Sequence, residues 1–464
     1  MPQGKYLAGD LQSGCTANST GVQYKLLSSI AYEKLLFSLP VRSWDREAVP
    51  VYFRKGKEFM PVKDRKSYLS NVFFILLFLA YLAVTLFLFH RQTVRYAGRY
   101  ISDITDYLST IQGIEVAYRF PYPVLFRTGS FFMLFTTPEH ALAFAATFLN
   151  GLSVLVLKWY LDSFLEVKKY PGRSWLSILL TFSLLFVSML FPPSYLGHYN
   201  EIGENYLYRY RGTFTPNPYH NATYLAARPF SIPAFFLFAE VLGIYEKENK
   251  WFHPKYLLFS LFLLMTTMTK PSFTLILCAA AGILMLYRLI AGQFQGVKAF
   301  FQLGIYFIPT FLVLIYQFVV VFEPDNAEAG IGFAFLKAWS TASGNIPLSI
   351  LFATAFPLTV LALRGKEKTL WTQYRFSWQF LLIGLATLLF LYEKGIRMPH
   401  LNFAWGYMHG LFFTYTVSLI CLAKATLTRS QPLWKLTLQW GVYAAHLICG
   451  IDYFVVLLRG GLYL

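Results

Sequence analysis

Apolar runs of about 20 residues recur along most of the chain, separated by polar stretches of unequal length. The first is NVFFILLFLAYLAVTLFLFH at 71–90. Others follow at roughly 140–162, 175–192, 229–245, 299–321, 345–363, 377–392, 405–423 and 434–457. YLLFSLFLLMTTMTKPSFTLILCAAAGILMLYRLI holds two more. It breaks at Thr-Lys-Pro-Ser, because proline disfavours helix at the residue before it. The pattern predicts an all-α polytopic membrane protein of about 11 transmembrane helices, since in lipid each backbone donor and acceptor has to be paired within its own segment. A β-barrel would show segments of about 10 residues alternating in polarity, and the chain lacks them.

The polar stretches sort into two kinds. Residues 1–68 end in the basic cluster KGKEFMPVKDRK and read as a cytoplasmic N-terminal tail, with the membrane domain over 69–464. With that tail inside, the short turns KKYPGR, EKENK, RGKEK and the Lys424-to-Lys435 segment also fall inside, as the positive-inside rule requires. The long loops 91–139, 193–228, 322–344 and 393–404 then gather on the outer face, together with the Thr-Lys-Pro-Ser break. No inverted internal repeat of the transporter kind is visible.

Composition agrees with the pattern. Of 464 residues, 56% are hydrophobic and 14% charged, against roughly 25% charged in soluble domains. A net charge of +17 on a soluble protein would point to nucleic acid. Here the basic inner turns account for it, so a bilayer is the expected partner and nucleic acid is not. Cys15, Cys278, Cys421 and Cys449 form no Cys-x-x-Cys pair, and the last three lie in apolar runs, as buried small residues do. The first apolar run starts near Asn71, too far in for a secretory signal peptide.

The outer loops carry the candidate chemistry. ISDITDYL offers Asp103 and Asp106, three residues apart and on one face if the segment is helical. A carboxylate there can serve as general base for an acceptor hydroxyl, or Ser102 or Asp103 can simply cap a solvated helix. Loop 193–228 contains His198, Arg209, Arg211, His220, Asn221 and Arg228. Paired arginines suit bidentate phosphate contacts, although among tyrosines they also suit an interfacial belt. In PNPYHN two prolines stiffen the loop beside a compact donor and acceptor pair. Asn221-Ala-Thr, like Asn18-Ser-Thr, matches the weak N-glycosylation pattern. Lys270 in TMTKPSF lies at or near membrane depth, where a lysine is costly unless it snorkels or meets an anion. Arg397 and His400 add a cation and a titratable ring. Glu323, Asp325 and Glu328 form an acidic patch without calcium-loop spacing. No cofactor is expected, with a divalent ion shared by Asp103, Asp106 and Glu323 as the variant to test.

The layout resembles the GT-C superfamily of membrane glycosyltransferases, which use polyprenyl-phosphate or polyprenyl-diphosphate sugars at the outer membrane face. The resemblance covers most of 69–460 and rests on architecture and on short segments: ISDITDY, YRFPYPVLF, PNPYHNATYL and RMPHLNFAWGY. It implies Asp103 as catalytic base, with Asp106 as its rival. Arg209, Arg211, Lys270 and Arg397 would hold the donor phosphate, and His198, His220, Asn221, Arg228 and His400 would line the substrate. It also implies a bacterial plasma-membrane enzyme that decorates a cell-surface glycan from a polyprenyl-phosphate sugar. The chain departs from many members in having no large outer domain after Leu457, and it lacks the Trp-Trp-Asp and Asp-Glu motifs of two subfamilies. Two other readings share much of this pattern. An O-antigen ligase or polymerase would use outer Arg and His with a diphosphate-linked glycan and no essential carboxylate. A lipid-linked glycan flippase would need polar groups along the middle of mostly apolar spans.

Overall fold

The computed structural model describes residues 62–94, 98–114, 119–191, 214–248, 250–321, 330–364 and 370–461. The chain divides into two units, Met1–Phe59 and Met60–Leu464, and everything described lies in the second. The first helix, α1 (Val62–Val94), begins ahead of the expected boundary at 69. Two short helices follow, α2 (Ile104–Ile111) and α3 (Pro123–Phe132), then the long α4 (Pro138–Phe164). After α5 (Ser174–Phe186) and α6 (Ala222–Glu248) come α7 (Pro254–Thr267) and α8 (Ser272–Ala291). Next are α9 (Val297–Gly304) and α10 (Ile308–Val321), joined through a 3₁₀ turn at Ile305–Phe307. The bundle closes with α11 (Ile346–Leu363), α12 (Trp371–Phe390), α13 (Ala404–Thr428) and α14 (Leu433–Leu458). A two-stranded antiparallel ribbon, β1 (Ile331–Phe333) and β2 (Leu391–Glu393), is paired Ile331 to Glu393.

Among the described residues eight helical stretches, with Val297–Val321 taken as one, are long and apolar enough to cross a membrane, so the chain is an integral membrane protein of the helical, polytopic kind. The remaining three expected spans are helical in part: α5 and α7 are short, and α12 opens on the polar stretch WTQYRFSWQF. The predicted break at Thr-Lys-Pro-Ser is a tight turn between α7 and α8. α6 and α13 are the buried centre, whereas α1 and α10 present Ile75, Leu76, Leu79, Leu312, Ile315 and Val319 outward, as lipid-facing surfaces do. The most extensive helix pairing is α12 with α13. Small residues let two membrane helices approach. A Cβ on Gly410 would sit 2.8 Å from the Leu381 Cα, and one on Gly384 2.9 Å from the Tyr407 Cα.

The expected span at 175–192 differs most from expectation. α5 stops at Phe186, and Val187 turns to extended backbone (φ −66°, ψ 142°). Thirteen helical residues rise only about 20 Å, short of a hydrocarbon core of about 30 Å. Extended residues, at about 3.3 Å each, cover the remainder more cheaply in length. Non-helical backbone at that depth has to be paired within the protein. The Ser188 amide donates to the His446 carbonyl (3.2 Å) and the His446 Nδ1 donates to the Ser188 carbonyl (2.7 Å). The Leu190 amide donates to the Phe352 carbonyl (3.0 Å), the acceptor that the Phe356 amide would otherwise use in α11. Phe356 donates instead to His446 Nε2 (3.2 Å). Pro357 supplies no N–H to Ala353, and the Tyr415 hydroxyl takes that carbonyl (2.8 Å). Gly450 on α14 gives the extended segment room, since a Cβ there would overlap the Phe186 carbonyl.

This clearance yields a paired test. Gly450→Ala should lower the melting temperature of the purified protein sharply, because overpacking costs about 1–3 kcal/mol and here the obstacle is backbone. Gly441→Ala on the same helix, with nothing within 4 Å of the added methyl, should leave it unchanged. Equal melting temperatures would show that the segment does not pass Gly450 as described.

Candidate active site

The site is built on the loop that follows the extended segment. Residues 214–221 are non-helical and almost wholly buried. The Asn217 amide donates to the carbonyls of Leu184 (2.9 Å) and Val187 (2.8 Å), and the Tyr219 hydroxyl donates to that of Leu185 (2.9 Å). The last turn of α5 therefore gets its missing donors from side chains about 30 residues away. The Tyr219 hydroxyl lies 2.9 Å from that of Tyr81, which accepts from Asn150 (2.8 Å). Arg228 closes the loop from below. One guanidinium nitrogen donates to Pro216 O (2.6 Å) and Asn217 Oδ1 (2.7 Å), while its plane faces Phe412 at 4.3 Å. Arg228 was expected in a loop beside substrate. It lies on α6, fully buried, because that helix starts at Ala222 and not near 229.

The earlier start has a local cause. Asn221 Oδ1 accepts the Tyr224 amide (2.9 Å), the bond an N-cap makes to the third helical residue. The same oxygen accepts from the Thr223 hydroxyl (2.8 Å) and from the Lys270 ammonium (3.1 Å). The Asn221 Nδ2 therefore points the other way, and it donates to the Asp103 carboxylate and, at 3.3 Å, to the Tyr107 hydroxyl. Three donors around one oxygen and a carboxylate beside the nitrogen fix the amide orientation. Asn221 is 1% exposed, so the folded chain does not offer this Asn-Ala-Thr triplet for modification.

Asp103 occupies the N-cap position of α2, but its carboxylate does not cap the helix; the Ser102 hydroxyl accepts the Ile104 amide instead (3.0 Å). The carboxylate is left facing Asn221, on a half-buried residue. Partial burial raises its pKa above the ordinary value. The Lys270 ammonium, the Asn221 amide and His400 pull it down, and Asp106 adds to the rise. Asp106 itself is exposed, one turn along α2. Lys270 is 7% exposed at the turn between α7 and α8, with its Nζ 3.1 Å from Thr223 Oγ1 and 4.5 Å above the Trp405 ring. Burial lowers its pKa to about 8, against the opposing pull of Asp103. The turn is clamped by the Val124 amide on Met268 O (3.1 Å) and by Gln317 Nε2 on Thr267 O (2.9 Å) and Pro121 O (3.1 Å).

His220 is buried against Trp405 and lies 3.2 Å from the Tyr453 hydroxyl; burial and Lys270 lower its pKa to about 3, so it stays neutral. His400 is exposed at the end of the 3₁₀ turn Gly395–His400, close enough for its charge to act on Asp103. Of the expected site residues, the structure thus joins Asp103, Asn221, Lys270, His220 and His400 at one end of the bundle. It sets Arg228 deeper. His198, Arg209, Arg211 and the Arg397 side chain lie outside the described residues, as do Glu323, Asp325 and Glu328. Tyr107, Thr223, Trp405 and Asn217 were not anticipated. The Asn-Ala-Thr spacing was the available signal for Thr223, and the others had none beyond residue type. Among the described residues no group of three His, Cys, Asp or Glu side chains is gathered as for a metal ion.

Asn217 gives a test of this construction. Asn217→Ala orphans two carbonyls and one guanidinium contact, each buried unsatisfied group costing about 1–3 kcal/mol. The variant should melt well below the parent in detergent; an unchanged melting temperature would show that Asn217 does not pair these carbonyls. No protein-family model, curated protein or solved structure matches the chain.

Proposed function

We propose that the protein is an inverting glycosyltransferase that passes one sugar from a polyprenyl-phosphate donor to a hydroxyl of a cell-surface glycan. The observation that carries this reading is the half-buried Asp103, its carboxylate aimed by Asn221 and flanked by the Lys270 ammonium and the His400 ring, at one end of a bundle of apolar helices. A lipid-linked phosphate has its reactive carbon at such a level, just beyond the hydrocarbon. In the reaction the acceptor oxygen attacks the anomeric carbon and its proton passes to Asp103. The bond from that carbon to the phosphate oxygen breaks, and the electron pair leaves with the polyprenyl phosphate. Positive charge around the site favours the departing phosphate in a setting with little water. A raised carboxyl pKa moves the base toward the working pH.

The charge distribution supports an outward-facing site. Lys168, Lys169, Arg173, Lys250, Lys255, Arg288, Arg429 and Lys435 lie on or beside the short turns, which under the positive-inside rule supports reading that end as cytoplasmic. The layout's resemblance to GT-C enzymes points the same way.

Asp103→Asn should cut release of polyprenyl phosphate from a labelled donor by roughly 10²–10⁴-fold while the protein elutes and melts normally. An active Asp103→Asn enzyme would remove Asp103 from the reaction. Activity should be bell-shaped in pH. It falls on the acid side as Asp103 is protonated, at a pH above that of an ordinary aspartate, and on the alkaline side near pH 8 as Lys270 loses its charge. Rates that stay flat from pH 7 to about 10 would contradict the alkaline limb.

A further inference from the structure

We propose that Lys270 is a positioning residue that acts on Asp103 through the Asn221 amide, and that it does not itself hold the donor phosphate. This rests on the reading of Asp103 as the base. The contacts of the ammonium all point inward. It donates to Asn221 Oδ1 and Thr223 Oγ1, both at 3.1 Å, and the Trp405 ring covers it at 4.5 Å. A phosphate-binding lysine needs N–H bonds directed into open space, and only 7% of this residue is exposed.

What the ammonium does instead follows from Asn221. If that amide turned over, its NH₂ would meet the Lys270 ammonium, the Tyr224 N–H and the Thr223 hydroxyl, three groups now donating to oxygen. Its oxygen would then meet the Asp103 carboxylate, acceptor against acceptor. The ammonium makes that inversion costly, and it draws electron density from Oδ1, which strengthens the N–H that Asn221 gives to Asp103. The clamp on the Met268-to-Pro271 turn by Val124 and Gln317 holds the lysine for this task. The charged and titratable groups facing Lys270 are Asp103, His220 on the buried loop and His409 on α13; those facing Asp103 are Lys270, His400, Asp106 and Tyr107.

The experiment uses the full chain in lipid nanodiscs. Donor KM, kcat and the pH profile are measured for the parent, Lys270→Met, Asn221→Ala and the double variant. In parallel, the Asp103 carboxyl is titrated by infrared difference spectroscopy, its band identified by loss in Asp103→Asn, which needs no substrate. The expected result is a fall in kcat of roughly 10²-fold in Lys270→Met, with donor KM unchanged. The acid limb and the carboxyl titration should both move to higher pH, because the cation that favoured the carboxylate is gone. The double variant should be no slower than the slower single variant, since both substitutions cut one linkage. A raised donor KM with kcat preserved would make Lys270 a phosphate ligand and overturn the proposal. So would losses that multiply in the double variant, or a carboxyl titration that does not move. Thr223→Val, which removes one ammonium contact at nearly constant volume, should shift the titration the same way by less; no shift there, should Lys270→Met fail to fold, counts against the proposal. If the parent turns over no polyprenyl-phosphate sugar, the glycosyltransferase reading fails, while the infrared titration still decides whether Lys270 governs Asp103.

Discussion

Unpaired backbone cannot be left inside a membrane bundle, and most of what is specific to this protein follows from that constraint. Two stretches, 187–191 and 214–221, run non-helically among buried helices. Their carbonyls are met by the side chains of Asn217, His446 and Arg228, and the helix ends beside them by Tyr219 and Tyr415. All but Arg228 link elements 30 or more residues apart in sequence, so the broken span serves as a joint between α5, α6, α11 and α14. A regular helix through the same space would have needed none of these residues.

The candidate site inherits its order from that joint. Asn221 stands one residue beyond His220 and four beyond Asn217, on a loop whose position is set by the end of α5 and by Arg228. Because the loop is fixed, the Asn221 cap starts α6 at a defined point, and its amide presents one edge to the helix and the other to Asp103. The structural demand and the chemical one meet in a single side chain. That is also why the long, proline-rich and aromatic loop holds so few exposed residues over 214–221: its rings and amides are spent on the interior.

Buried cations are handled in two ways. Arg228 has no carboxylate among its described contacts; carbonyl and amide oxygens take one nitrogen, and the rings of Phe412 and Tyr224 take its faces. Guanidinium suits such a place because it is weakly hydrated and cannot shed its proton. Lys270 is a more strongly hydrated point charge whose pKa yields to burial, which makes it responsive to Asp103 and to pH in a way Arg228 is not.

Hydropathy determined the helical membrane architecture and the choice of polar segments that supply the site, because lipid imposes length and apolarity residue by residue, and Pro271 determined the break at Thr-Lys-Pro-Ser. The short apolar run at 175–192 read as one span since extended and helical backbone look alike in composition. Whether it stays helical depends on His446 and Asn217 reaching it. The start of α6 was read too late because Arg228 made 222–228 resemble a loop, while burial of a guanidinium is decided by rings and carbonyls that only packing supplies. Asp103, Asn221 and Lys270 were visible as candidates by residue type and place. That the carboxylate, amide and ammonium form one hydrogen-bonded line, with the lysine turned inward, is a matter of distances between segments more than 40 residues apart, and the tertiary structure alone decided it.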